Sequence, residues 1–342
     1  MKEIGSEFWT TYFDDNRNKL NFLKIGKDYK LLMSGRTAIS FILDNIEDMK
    51  KIVYMPNYCC KSMLQPFLDN NYKIVYYNCD VINNKYDIDS NFNCSIFFAM
   101  SYFGYDISNM DTYIELFNKK NIIVIEDITH RLLSDKNHSE YSTFLIASLR
   151  KWFPILSGGI AINMHTNFKT NTDNYKINKK FINTKKQAMN LKREYMCGSL
   201  ENKDYFLELF NKSNHMIEDY KNMKIDEESI KILKKISIKD VKEKRIENCK
   251  LIEQKLKNNK HIKLLYKYKN GDCPLFVPII INNRNYARKK MIENNIYLPV
   301  HWPNDGLNND IYNVELSLII DQRYSKNDIE KYIDKLIEIV GE

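Results

Sequence analysis

Lys151 sits where a lysine can do chemistry. Residues 144–147 are an apolar run that reads as a buried strand. The chain then passes through Ser148-Leu149-Arg150-Lys151-Trp152-Phe153-Pro154, turns at Gly158-Gly159, and re-enters as a second apolar run over 160–164. Upstream, the apolar run 122–125 ends in Glu126-Asp127. A lysine amine attacks a carbonyl only when neutral, a form favoured by burial or a neighbouring cation, and Arg150 is adjacent in sequence. An aspartate at a strand end suits either of two tasks: capping a following helix, or holding an aromatic ring nitrogen in its protonated form.

A third feature lies near the N-terminus. Ser34-Gly35-Arg36-Thr37 opens an expected helix. Helix starts present free N–H groups and a positive dipole end to a phosphate. Gly35 would allow close backbone approach, Arg36 a bidentate contact and Thr37 a hydroxyl, unless the segment is only a turn and cap. Ser148, three residues before Lys151, offers a second hydroxyl. Amine, acid and phosphate cradle are together what pyridoxal 5'-phosphate (PLP) requires.

Other residues are candidates for the same site. His130 falls one turn into a helix expected after Asp127, facing either the ring or the core. Tyr58 and Cys60 follow the strand stopped by Pro56; one of them would cover a ring face, or both only pack. Tyr297-Leu298-Pro299-Val300-His301-Trp302-Pro303 is an apolar stretch that either holds His301 and Trp302 over the cleft as substrate contacts or forms an edge strand. Arg323 is either an anion ligand or a surface arginine.

The elements that position these residues alternate. Helical spacing is expected over 37–49, 61–70 and 110–119, and strands over 52–55, 74–77, 96–99 and 122–125. Short apolar strands separated by helices imply an α/β domain with a large, mostly parallel sheet and helices on both faces. Ligands in such sheets bind beyond the carboxyl ends of the strands, where Tyr58, Ser101, Asp127 and Lys151 fall. Beyond residue 170 the texture shifts to long polar-amphipathic helices over 204–222 and 238–258, strands over 275–281 and 296–300, and a tail helix over 326–340. The 342 residues exceed one ordinary core, so two domains are expected: 1–230, the N-terminal segment and large α/β domain, and 231–342, a smaller α+β unit.

Composition narrows the class. The N-terminal residues form no apolar leader, and no run is long enough to span a bilayer, so a cytoplasmic protein is expected. The seven cysteines include no C-x-x-C pair and the six histidines no H-E-x-x-H, so no metal site is expected. The net charge of +8 comes from lysines interspersed with acids, which reads as a solvated surface and not as a nucleic-acid stripe.

These motifs, in order, resemble the DegT/DnrJ/EryC1/StrS sugar aminotransferases of fold-type I. The resemblance runs through Ser34-Gly35-Arg36-Thr37-Ala38, the Pro56 strand end, Tyr102-Phe103-Gly104, Ile125-Glu126-Asp127, and Lys151 with Gly158-Gly159, with weaker similarity over 297–324. It implies that Lys151 forms the imine with PLP, that Asp127 pairs with the ring nitrogen, that Arg36 and nearby backbone hold the phosphate, and that His130 lies beside the ring. It also implies a homodimer with interface active sites, glutamate as amino donor, and a keto acceptor on a sugar or small phosphorylated ketone, in surface polysaccharide synthesis. Two positions depart from the family. Ile146 stands where a phosphate-binding serine is usual, and Cys60 lies near where a stacking aromatic is common. A dehydratase or decarboxylase on the same fold, or a non-catalytic regulatory protein, is the alternative. Lys151 argues against the dehydratases of this family, which carry histidine there.

Overall fold

The computed structural model describes residues 2–11, 20–47, 49–106, 109–302 and 311–341. The chain enters on a two-residue strand, β1 (Ile4–Gly5). The large sheet follows: β2 (Asp28–Leu32), β3 (Ile52–Pro56), β4 (Lys73–Asp80), β5 (Lys85–Asp87), β6 (Ile96–Met100), β7 (Ile123–Asp127), β8 (Phe144–Ala147) and β9 (Gly159–Asn163). Their spatial order is β2-β9-β8-β7-β6-β3-β4-β5. The central strands β4, β3, β6, β7 and β8 are parallel, while β5, β9 and β2 pair antiparallel. Every residue of β6, β8 and β9 is buried, as a strand covered on both faces requires. The sheet is thus mostly parallel, as the alternation in the sequence implies.

Helices α1 (Gly35–Leu43), α2 (Lys61–Asp69) and α3 (Met110–Lys119) connect these strands. Pro66 lies inside α2 and is buried there. Strand order reverses between β3 and β6, from which successive strands extend in opposite directions. Such a switch point opens a crevice at the carboxyl ends of the strands.

Helices α4 (Lys179–Cys197) and α5 (Asp204–Met216) form a hairpin around Leu156, Met189, Phe206 and Phe210. Helix α6 (Glu227–Lys235) is capped by Asp226, which also accepts a 2.5 Å hydrogen bond from the Ser157 hydroxyl. Helix α7 (Ile238–Leu256) leads to β10 (Lys263–Leu264), β11 (Val277–Ile280), α8 (Arg284–Glu293), β12 (Ile296–Tyr297), α9 (Ile311–Val314), β13 (Glu315–Leu318) and α10 (Lys326–Gly341). Strands β10, β11 and β13 make a small antiparallel sheet, and β12 pairs in parallel with β1.

The helix expected after Asp127 does not form; residues 129–133 are turns. The Asp127 carboxylate accepts the Thr129 N–H at 2.7 Å, and the Thr129 carbonyl accepts the Trp152 indole N–H at 2.6 Å. The indole thus takes a carbonyl that a helix would use, while the Asp127–Thr129 bond is a local side-chain turn.

Glu126, beside Asp127, is sealed in the core and accepts hydrogen bonds from the Ser139 N–H at 2.9 Å and the Ser142 hydroxyl at 2.6 Å. Burial outweighs those bonds and lifts its pKa from the usual 4.5 to about 7. The folded state thus binds the Glu126 proton more tightly than the unfolded chain does. Its contribution is full below the unfolded value and is lost as pH rises through about 7. Glu126→Gln should gain stability relative to the native chain between pH 5 and 8, by up to roughly 3 kcal/mol. Paired urea melts at the two pH values check this, and a difference independent of pH contradicts it.

Candidate active site

Three segments meet beyond the carboxyl ends of the central strands. The turn after β8 carries Ser148, Arg150 and Lys151. The end of β7 carries Asp127. The start of α1 carries Gly35 and Arg36. Together with Cys60, Met63 and Trp302 they line an inner cavity of about 300 Å³. Ser148, Arg150 and Lys151 also line an outer cavity of about 590 Å³, walled further by Glu7, Phe8, Phe276, Arg288, Tyr297 and Arg323. Lys151 is exposed and stands in the wall common to both.

Thr129 holds the acid and the amine in register. Its N–H binds Asp127 Oδ1 at 2.7 Å, its hydroxyl accepts the Ser148 N–H at 3.0 Å, and its carbonyl takes the Trp152 indole. Asp127 is buried yet borders the inner cavity. Burial raises its pKa, against the Thr129 bonds and the nearby Lys151 charge. A carboxylate in that state favours any N–H⁺ placed before it.

The helix start is built as expected, with a different glycine doing the close packing. The Ser34 hydroxyl caps α1 by accepting the Thr37 N–H at 3.2 Å. A Cβ on Gly35 would make only ordinary contact, 3.5 Å from Ser148 Cβ, so this glycine leaves open space in the cavity wall. Gly159 is the position of close approach: a Cβ there would fall 2.1 Å from the Ser34 carbonyl oxygen and 2.7 Å from the Gly35 nitrogen.

The expected residues divide. Lys151, Asp127, Gly35, Arg36, Ser148 and Cys60 line the inner cavity. Thr37 does not: its hydroxyl is buried against Ser34 Oγ at 3.0 Å. Tyr58 does not either. It is buried, donates its hydroxyl to the His301 carbonyl, and packs edge-on to Trp302. Trp302, expected over the cleft, is the aromatic ring in the inner wall. His130 is sealed and lines neither cavity, stacked on Trp302 with centroids 5.7 Å apart. Its Nδ1 accepts the Phe103 N–H at 2.9 Å, which leaves the proton on Nε2, a buried atom with no hydrogen-bond partner among the described residues. Burial, Lys151 and His301 push its pKa well down, so the ring is neutral.

His301 lines neither cavity. Its backbone N–H binds Glu315 at 2.8 Å, and its Nδ1 lies 2.9 Å from the Ser317 hydroxyl. Arg323 borders the outer cavity but is committed to Asp321 through two 2.8 Å bonds and lies over Phe8. Sequence reasoning did not place Arg150, Glu7, Phe8, Thr129 or Arg288 in the site. Arg150 was signalled by its position beside Lys151; the others had no local signal.

No protein-family model matches the chain, and no curated protein matches it by sequence. Solved structures do match. Helicobacter pylori PseC, an aminotransferase involved in the biosynthesis of pseudoaminic acid, superposes with a TM-score of 0.68 at 13% identity, covering 99% of this chain and all (100%) of that one. A sugar aminotransferase described as putative, Spr1654 of Streptococcus pneumoniae in its PMP form, gives 0.66 at 13% identity over 97% and 92%. DesV of S. venezuelae gives 0.65 at 12% over 94% and 88%. The chain therefore has the fold of these aminotransferases, the fold that its motifs resemble. No helix among the described residues is long and apolar enough to cross a membrane.

Gly159→Ala should cost about 1–3 kcal/mol by forcing the β9 backbone away from the Ser34–Gly35 turn. Gly35→Ala should leave stability nearly unchanged. Thermal melts of the two variants check the contrast, and equal melting temperatures contradict the packing described.

Proposed function

We propose that the protein is a PLP-dependent aminotransferase. Its cofactor would sit in the inner cavity, and the donor and acceptor would enter through the outer one. The observation that carries this reading is Lys151 in the wall common to both cavities, with buried Asp127 tied to the same turn through Thr129.

The residues present fit the group. The start of α1 with Arg36 presents N–H groups and a guanidinium to a phosphate. Ser148 adds a hydroxyl. Asp127 offers a buried carboxylate that needs a cationic N–H partner. Trp302 supplies the apolar wall for a flat ring, and Met63 and Ile146 add apolar contacts. When bound, PLP supplies an aldehyde that condenses with amines and a ring that withdraws electrons from the carbon bearing the nitrogen.

The chain's own tasks follow from position. Asp127 would keep the ring nitrogen protonated, which would make the ring a stronger electron sink. Lys151 would hold the cofactor, and its amine at the junction of the cavities would be placed to move a proton. Phe8, Phe276 and Tyr297 give the outer cavity an apolar wall. Arg150, Arg288 and Arg245 make it electropositive, which suits an amino-acid donor with two carboxylates. Glutamate is that donor in this reading. The acceptor is a keto group on a sugar or a small phosphorylated ketone, consistent with the sugar aminotransferases that share the fold. A homodimer acting in surface polysaccharide synthesis in the cytoplasm completes the proposal.

The test is the visible spectrum of the protein loaded with PLP, before and after L-glutamate. A yellow band that fades, with release of 2-oxoglutarate, supports the reading; absence of any band contradicts it. Lys151→Ala should lower turnover by at least roughly 10²–10⁴-fold. Normal turnover in that variant removes Lys151 from the mechanism.

A further inference from the structure

Two stretches of this chain carry six or more cations and no acid: residues 174–193 and residues 255–269. The fold answers the first with acids from distant segments. Lys185 meets Glu7, Lys186 meets Glu228 and Lys192 meets Glu3. The second, with six lysines and His261, is left largely unanswered. It closes α7, passes through the edge strand β10 and enters the loop before β11. Lys255 pairs with Asp334, and Lys269 donates to the Asp106 carbonyl at 3.4 Å. Lys257, Lys260, Lys263 and Lys267 are exposed and have no acid partner among the described residues. A block of like charge repels itself and attracts an anionic partner.

Two of these lysines rim a cavity of about 370 Å³, which shares no lining residue with the two cavities at Lys151. Its floor is apolar: Ile281, Ala287 and Ile339 are buried, and Ile280 and Val340 are half-buried. Its rim is polar, built from Lys260, His261, Lys263, Asn282 and Asn283. Tyr286 stands on the same rim with 48% of its surface exposed. The acids near the ends of the two helices that wall the cavity are engaged: Glu293 of α8 with Lys290, and Glu338 of α10 with Lys335. A cationic rim over an isoleucine floor suits an amphiphile, with its anionic head on the lysines and its apolar chain below. A nucleic acid would use the lysines and leave the floor empty. An exposed tyrosine, apolar in body and polar at its tip, suits a boundary between water and hydrocarbon.

We propose that this face of the smaller unit docks on anionic phospholipid at a membrane surface, with a lipid head group held by Lys260 and Lys263 and its chain lying on the isoleucine floor. The proposal is independent of the aminotransferase reading, since it uses no residue of that site.

Co-sedimentation of the full-length protein with lipid vesicles tests it. Phosphatidylcholine vesicles containing about one-quarter phosphatidylglycerol should carry the protein down at low salt, and the bound fraction should fall as salt rises. Vesicles of phosphatidylcholine alone should leave it in solution. Lys260→Gln with Lys263→Gln should lower the partition constant by about 10- to 50-fold. Lys179→Gln with Lys180→Gln removes the same charge from exposed positions of the other acid-free stretch and should change it by less than about threefold. Tyr286→Ala keeps every charge and should still weaken binding, a response that a plain cationic patch does not give. All five positions are exposed, so equal thermal melts show that the variants remain folded. Equal losses in the two double variants overturn the proposal, because charge in general and not this face then attracts the lipid. Unchanged binding in Tyr286→Ala overturns the lipid assignment. Sedimentation that ignores anionic lipid, with capture of an oligonucleotide in its place, assigns the lysines to nucleic acid and overturns it as well.

Discussion

The site depends on the registry of two strand ends that share no covalent neighbour. Asp127 closes β7 and Lys151 follows β8, and Thr129 ties them together with its N–H, hydroxyl and carbonyl. Each such bond contributes only about 0.5–1.5 kcal/mol net. Their value lies in geometry: all three leave one residue, so the acid, the Ser148 backbone and the Trp152 indole cannot shift independently. The Asp127 carboxylate makes the contact of a capping aspartate with the Thr129 N–H and still stands at the cavity edge.

Electrostatics organise the second layer. The turn bearing Lys151 is ringed by cations, and the acids that temper them come from distant segments. Glu7 and Glu3 reach in from the N-terminal strap, and Asp321 from beyond β13. Lys185 and Lys192 are buried in α4 because those acids meet them. An ammonium buried without a partner costs several kcal/mol, so the strap and α4 stabilise each other, and the strap walls the outer cavity through Ser6, Glu7 and Phe8. Net positive charge remains at that wall, where an anionic substrate would enter.

The large sheet, and the residues gathered at its carboxyl edge, were legible in the sequence for a local reason. Strands β6, β7 and β8 are short apolar runs with abrupt polar ends, and ligand-facing residues of such sheets sit at those ends. That rule put Lys151 and Asp127 on one edge of the sheet, and both line the inner cavity. The place of Trp302 in the inner wall and of Glu7 in the outer one was not legible, because each lies more than a hundred residues from Lys151 in the chain and only the tertiary fold brings them together. Helix α4 was missed because Lys185 and Lys192 interrupt its apolar stripe; they read as solvent-facing until Glu3 and Glu7 are placed beside them. Strand β13 was hidden similarly, since it opens on Glu315, an acid whose buried carboxylate accepts the His301 N–H and the Ser317 hydroxyl. Gly159, read only as part of a turn, packs directly against Ser34 and Gly35, because close approach depends on what lies opposite each residue, which the chain does not state locally.

The central claim is that Lys151, among the many lysines of this protein, is the amine poised between the two cavities. Borohydride reduction of the PLP-loaded protein, followed by peptide mapping by mass spectrometry, tests it directly. The account predicts a single stoichiometric pyridoxyl label on Lys151, lost in Lys151→Ala. A label on another lysine, or one spread over several surface lysines with Lys151 unmodified, would contradict it.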